Sequence, residues 1–378
     1  MNQGVDAAVG TFTVQAKDGM ARSGVLATAH GAFQTPAFMP VGTQGTVKGV
    51  TPRDLRESKA EIILTNTYHL HLRPGDDLIA SQGGIHRFMG WDGPILSDSG
   101  GYQVFSLAKL REIRPEGVHF QSHIDGARVL FTPEKVIQIQ ENLGVDIMMV
   151  LDECLPHDAT HEQTVVSWKL TLDWASRSLR ARTNPKQLLF GIVQGAMFED
   201  LRRAACEELS ALAFDGLAIG GLSVGEGTSL MREMTEVCTS ALPEDRPRYL
   251  MGVGTPFDIV ESVQLGIDMF DCVIPTRSAR FGRLYCGRSW INIRNEQYRS
   301  DSRPIEEDCD CYACKHFSRA YISHLTHAKE MLGAQLASLH NLRFYQRLME
   351  RIRDSISKGC YSEFARSFRD EWLANTDN

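Results

Sequence analysis

The strongest constraint in this chain is an alternation. Short apolar runs recur up to about residue 274, and longer amphipathic stretches separate the later ones. Eight such runs stand out, at residues 37–41, 61–66, 94–97, 146–151, 189–193, 217–220, 249–253 and 269–274. Each is flanked by turn-forming residues and reads as a β-strand. Helix patterns fill residues 161–182, 199–212, 228–241 and 256–265. Another opens at Thr132-Pro133-Glu134, with a cap residue and a proline in the first turn. Strands that alternate with amphipathic helices pair in parallel, because each helix carries the chain back across the sheet. Eight repeats favour closure into an α/β fold of the irregular (β/α)8 TIM-barrel kind. An open, doubly wound sheet is the alternative, but the chain holds neither a dinucleotide-binding fingerprint nor a phosphate-binding loop to support it. With 378 residues, 43% of them hydrophobic, the chain can bury one large core. A single barrel domain is therefore expected over 1–378.

A polar residue or a glycine stands at or near the end of several of these runs: Asn66, Asp98, Asp152, Gln194, Gly221, Gly252 and Asp271. In a barrel all those ends face one mouth, where barrel enzymes place their chemistry. Strand ends are wet, so one polar residue there says little. Three aspartates and a glutamine behind apolar runs are a stronger signal. Asp98 sits in Ser97-Asp98-Ser99-Gly100-Gly101-Tyr102-Gln103, where two glycines let the backbone turn tightly and approach a ligand. Asp152 sits in Leu151-Asp152-Glu153-Cys154, and Asp271 in Met269-Phe270-Asp271-Cys272. Two carboxylates across one mouth suit substitution at a glycosidic carbon. One attacks the anomeric carbon while the other manages the leaving group's proton. Plainer roles stay open: Asp98 can bond turn amides, and Asp152 can cap the next helix. Cys154 and Cys272 read as small buried fillers, with Cys154 near enough to Asp152 to line the same pocket.

After the eighth run the alternation stops. Residues 277–303 hold seven arginines and two acids, Glu296 and Asp301. The formal net charge is -7, so a nucleic-acid partner needs a local basic patch of this sort. A helical tail is expected from about residue 317 onward. Between them lies C-x-C-x2-C, formed by Cys309, Cys311 and Cys314 out of nine cysteines in all. The chain opens without a basic, then apolar leader, and no apolar run is long enough for a bilayer. A reducing cytoplasmic setting is the expectation, and clustered cysteines there point to a metal. Three thiolates and one imidazole complete a tetrahedral zinc shell with no open position, which marks a structural Zn2+ site. His316, His324 and His327 are near, but His340 would tie the cysteine loop to a later helix. A zinc-binding subdomain packed on the barrel is expected over 281–345. A second metal-like pair, His69 and His71, follows the second strand. A barrel hydrolase built on it would need more histidines after later strands, where aspartate, glutamine and glycine stand instead.

SDSGGYQ, LDEC, GIVQG, GGLSVGE, RYLMGVG, MFDCVIPTR and the cysteine cluster with its late histidine occur in one order. Together they resemble the bacterial queuine tRNA-ribosyltransferase family, also called tRNA-guanine transglycosylase, from about Thr11 to Arg353. The resemblance implies an irregular (β/α)8 barrel with a zinc subdomain, found as a homodimer. It implies exchange of the wobble guanine in GUN-anticodon transfer RNAs (those for Asp, Asn, His and Tyr) for 7-aminomethyl-7-deazaguanine, a step towards queuosine. Asp271 would be the nucleophile at ribose C1′ and Asp98 the general acid and base. The base pocket would comprise Asp98, Ser99, Gly100, Gly101, Tyr102, Asp152, Cys154, Gln194, Gly221, Leu222 and Met251. Asp152, Gln194 and the Gly221 backbone would read the base edge, with Tyr102 and Met251 against its faces. The anticodon loop would meet Gly252, Val253, Gly254, Thr255, Pro256, Phe257 and Asp258, and then Thr276, Arg277, Ser278, Ala279 and Arg280. Val224 would narrow the pocket against bulkier bases. A non-catalytic tRNA-binding partner of such an enzyme is the main competitor, and both aspartates argue against it.

Overall fold

The computed structural model describes residues 7–107 and 111–376. The ends of the expected 1–378 span lie outside the described residues. All eight expected strands are present and parallel. They are β1 (Ala37–Pro40), β2 (Ile63–Asn66), β3 (Ile95–Asp98), β4 (Ile147–Met149), β5 (Leu188–Val193), β6 (Gly216–Ile219), β7 (Arg248–Leu250) and β8 (Met269–Cys272). Neighbours pair in the order β1-β8-β7-β6-β5-β4-β3-β2. A parallel bridge between Val41 and Leu64, with Gly42 N donating to Leu64 O at 2.6 Å, brings β2 back to β1 and closes the barrel. Both faces of such strands are covered, which is why they read as unbroken apolar runs. Every residue of β5 is buried. Interior layers interlock closely: a Cβ on Gly216 would stand 2.4 Å from the Phe190 ring.

The helices follow the patterns read above. Pro133–Leu143 is capped by the Thr132 side chain and stops at left-handed Gly144. His161–Ala181, Glu199–Ser210, Thr228–Ala241 and Pro256–Gln264 surround the later strands. After β8 the chain forms only a short helix, Ile274–Arg280, before leaving the barrel. It returns as Met331–Ser357, whose Gln346 side chain donates to Phe38 O on β1 at 3.1 Å and whose Tyr345 donates to Gly254 O at 2.6 Å. The intervening segment surrounds its own small apolar cluster, which includes Leu284, Ile293, Ile305, Ile322 and Leu325. The cysteine region is thus inserted between the eighth strand and the long helix that covers it.

Three antiparallel sheets went unread in the sequence. Phe12–Asp18, Ala21–Thr28 and Gly31–Thr35 form one. Arg111–Arg114, Gly117–Gln121 and Arg128–Phe131 form another, and Arg283–Cys286 pairs with Ser289–Asn292. Most of their strands are partly exposed, and all are mixed in polarity, the buried Ala21–Thr28 included, so they lack the apolar run that marks a barrel strand. The first sheet closes the barrel's N-terminal end. There Arg22 grips Asp268, just before β8, through two bonds of 2.9 and 2.6 Å.

Candidate active site

Register brings the strand-end residues together. Asn66 and Asp98 are cross-strand partners at the ends of β2 and β3. Asn66 Nδ2 donates to Asp98 Oδ2 at 3.1 Å and to Gln103 Oε1 at 2.9 Å. The turn after β3 needs both its glycines. Gly100 has φ +89, and a Cβ there would lie 2.5 Å from Tyr68 Cβ; one on Gly101 would lie 2.8 Å from the Asp152 carboxylate. Asp152 follows β4 and accepts a 2.7 Å bond from Gln194 Nε2, which follows β5. Asp271 lies within β8. Tyr249 Oη and Gly252 N both donate to its Oδ1, at 2.6 and 2.7 Å.

These groups line one cavity of about 470 Å³ at the C-terminal mouth. Asp98, Tyr102, Asp152, Cys154, Gln194, Gly221, Leu222, Met251, Gly252, Asp271 and Arg277 all border it, as do Tyr249, Gln103 and Val224. Ser99, Gly100 and Gly101 shape the turn behind Asp98 instead. Tyr249 was not singled out from the sequence. Its signal was present, because it shares a strand face with Met251 two residues on.

The three carboxyls sit in different fields. Burial, with the nearby charges of Asp152 and Asp271, pushes Asp98 up to about 7 against the pull of the Ser99 and Gly100 amides. Burial pushes Asp152 to about 6, opposed by the Gln194 amide. Asp271 is also raised by burial, while the Tyr249 hydroxyl and the Gly252 amide favour its ionised form. One carboxyl is thus poised to hold a proton near neutrality, and another is held by two donors aimed at an anion. Burial pushes the Cys154 and Cys272 thiols up to about 12, so neither supplies a thiolate near neutral pH.

The two segments expected to meet RNA flank this mouth, and their residues divide. Gly252 and Arg277 are exposed; Thr255, Phe257, Asp258, Ser278 and Arg280 are half-buried. Val253, Gly254, Pro256, Thr276 and Ala279 are buried in the isolated chain. Thr255 and Asp258 bond each other at the start of Pro256–Gln264. Arg280 donates to Thr276 O at 3.0 Å.

Cys309, Cys311, Cys314 and His340 are buried together, with their ligand atoms all within 4.8 Å of one another. The three Sγ atoms stand 3.7, 3.8 and 3.3 Å from His340 Nδ1. A tetrahedral shell with metal–sulfur bonds of about 2.3 Å and metal–nitrogen bonds of about 2.1 Å needs ligand separations of about 3.6 Å. His340 Nε2 donates to Tyr285 O at 2.5 Å, leaving the Nδ1 lone pair for the ion. This group can hold a metal ion. His69 and His71 do not form a second one. His71 bonds Asp76 at 2.6 Å, and among the described residues neither histidine of this helical turn belongs to a group of three or more metal-ligating side chains. His30, His86 and Asp146 cluster at the opposite barrel end, but the imidazoles stack with centroids 3.6 Å apart and planes 16° apart. A metal must lie in the plane of each ring it binds, and two nearly parallel planes do not meet at one ion.

No helix among the described residues is long and apolar enough to cross a membrane. A family model described as Queuine tRNA-ribosyltransferase matches residues 17–374. A queuine tRNA-ribosyltransferase of Solidesulfovibrio magneticus is 55% identical over 94% of this chain and 96% of its own length. Those of a Thermoanaerobacter species and of Psychrobacter cryohalolentis are each 54% identical, covering 92% of this chain and 93% of their own. The barrel, its mouth of carboxylates and these likenesses agree, and the chain belongs to the queuine tRNA-ribosyltransferase family.

Proposed function

We propose that this protein is a tRNA-guanine transglycosylase. It exchanges the wobble guanine of GUN-anticodon transfer RNAs for 7-aminomethyl-7-deazaguanine through a covalent enzyme–RNA intermediate. The observation that carries this reading is the meeting of Asp98 and Asp271 in one cavity, where burial raises both carboxyls but two donors, Tyr249 and the Gly252 amide, are aimed at Asp271.

The target nucleotide leaves its stack and enters the mouth. The Asp271 carboxylate attacks ribose C1′, the bond from C1′ to the base breaks, and Asp98 gives its proton to the departing guanine. Asp98 then takes a proton from the incoming base, whose ring nitrogen attacks C1′ and displaces Asp271. Two inversions restore the original configuration. One N-glycosidic bond replaces another, so no nucleotide fuel is needed. Guanine offers N1–H and N2–H2 donors that suit the Asp152 carboxylate, and an O6 acceptor. Gln194 Nε2, which donates to Asp152 in the free protein, can turn to O6 once the base supplies its own donors. Gly221 adds a backbone contact, while Tyr102 and Met251 pack against the ring. Arg277 and Arg280 supply cations for the anticodon loop next to the cavity.

The metal is Zn2+, held by Cys309, Cys311, Cys314 and His340 in a closed, structural shell that fastens a subdomain over 281–345 to the barrel. Thiolate-rich four-ligand sets favour zinc over magnesium or calcium. The protein acts as a homodimer in the cytoplasm. An aromatic patch on the subdomain supports that assembly: Tyr312 is 50% exposed, Tyr321 is 39% exposed, and the Tyr321 ring stacks on Phe317.

The test is incubation with transfer RNA and labelled guanine. Label enters the RNA with the wild-type chain, and a covalent protein–RNA adduct is trapped. Asp271→Asn abolishes both. An adduct that survives this change would show that another residue attacks.

A further inference from the structure

Behind the pocket lies a buried cation that this chemistry does not use. Arg202 occupies the first turn of Glu199–Ser210 and is fully buried. Among the described residues its guanidinium meets no carboxylate. Nε donates to Ala196 O at 2.7 Å, Nη2 to Gly220 O at 3.1 Å, and Nη1 to Cys238 Sγ at 3.8 Å. The two carbonyls belong to different strand-end turns. Ala196 ends Gln194-Gly195-Ala196 after β5, and Gly220 leads into Gly221 after β6. One planar fork therefore ties two turns together.

Both turns depend on close contacts. Ala196 has φ +45, a conformation that an L residue keeps only where its surroundings fix it. A Cβ on Gly195 would stand 2.8 Å from Arg202 Cγ, so this turn folds directly over the arginine stem. The Gln194 amide packs against the second turn. A Cβ on Gly220 would meet its Nε2 at 2.7 Å, and one on Gly221 would meet its Oε1 at 2.4 Å. A small shift of either turn must therefore reach the Gln194 amide and its bond to Asp152.

We infer that Arg202 is a positioning residue for base recognition. Through the Ala196 and Gly220 carbonyls it sets the spacing between the Gln194 amide and the Gly221 peptide, the two groups aimed at the purine edge. This rests on the guanine-exchange reading above. Lysine keeps the charge but is a point donor that cannot span both carbonyls. An apolar side chain leaves both carbonyls buried and unpaired.

The test measures label exchange while guanine and transfer RNA are varied separately. Melting temperature and the fraction of chains that form the covalent adduct are read alongside. Arg202→Lys raises KM for guanine by about 10-fold, the scale of one lost hydrogen bond to a charged group, and raises KM for transfer RNA by clearly less, because loop and phosphate contacts outside the pocket also hold the RNA. Arg202→Met raises it further. Gly195→Ala, which presses a Cβ on the arginine stem, gives the same split and keeps the test alive if Arg202→Met fails to fold. Variants with a lower melting temperature and active fraction, but an unchanged KM for guanine, would make Arg202 merely structural and overturn the inference. A wild-type chain that takes up no guanine would overturn the guanine-exchange reading, and this inference with it.

Discussion

Asp98→Asn should make the protein more stable while it destroys exchange. The asparagine oxygen can still accept from the Asn66 amide, which now donates to Asp98 at 3.1 Å, so the turn keeps its shape. What disappears is a carboxyl whose ionisation the folded state resists. Burial and the charges of Asp152 and Asp271 move it from its ordinary 3.8 to about 7. At about 1.4 kcal/mol per pH unit, that is about 4 kcal/mol against the folded state at pH 8. Asp98 faces an open cavity, so solvent screens part of this, and about 2 kcal/mol is the expected gain. For a chain this long the midpoint rises by roughly 2–3 °C. The sign follows from proton binding. Between 3.8 and about 7 the folded wild type holds a proton that the unfolded chain has lost, so its stability falls as pH rises through that window. The gap between variant and wild type is therefore full above pH 7, shrinks as pH falls, and closes below 3.8. Thermal melts of both proteins at about pH 4, 6 and 8 measure it directly. The zinc site weakens equally in both at low pH and cancels in the difference. Equal midpoints at pH 8, or a gap that is widest at pH 4, would refute the proposed environment of Asp98.

Tyr249→Phe removes one of the two donors to Asp271 Oδ1. The single-turnover rate should fall about 10-fold or more. The acid limb of the rate profile should move to higher pH, because a carboxylate that loses a donor binds its proton more tightly; an unmoved limb would count against Asp271 as the titrating nucleophile. Cys311→Ser should cost one equivalent of zinc and lower the melting temperature, whereas His69→Ala should leave the metal content untouched. Metal analysis that gave the reverse result would move the site. Raising salt from about 50 to 200 mM should weaken transfer-RNA binding steeply, and Arg280→Ala should flatten that slope by about one ion. A salt-independent affinity would remove the basic mouth from the interface.

The eight barrel strands were legible because each is short, apolar and bounded by turns. The cap Thr132 and the stop at Gly144 are local as well. The cysteine cluster was readable because three ligands fall within six residues, and the fourth followed from what a closed shell requires. The carboxylates announced themselves by standing at strand ends. In all these cases the signal is periodicity or donor type, which neighbours along the chain carry by themselves. The partly exposed antiparallel strands escaped because no continuous apolar run marks them.

Other properties belong to the tertiary structure alone. The Val41–Leu64 bridge, not any local pattern, closes the sheet into a barrel. Packing turned Val253, Gly254, Pro256, Thr276 and Ala279 inward within segments expected as a whole to meet RNA. The pairing of Tyr249 with Asp271 and the fork of Arg202 across two turns join residues brought together only by the folded chain. The division of labour among Asp98, Asp152 and Asp271 has the same origin. Three identical side chains meet different neighbours in space, and desolvation and Coulomb energy depend on distance through space, whereas a sequence records only distance along the backbone.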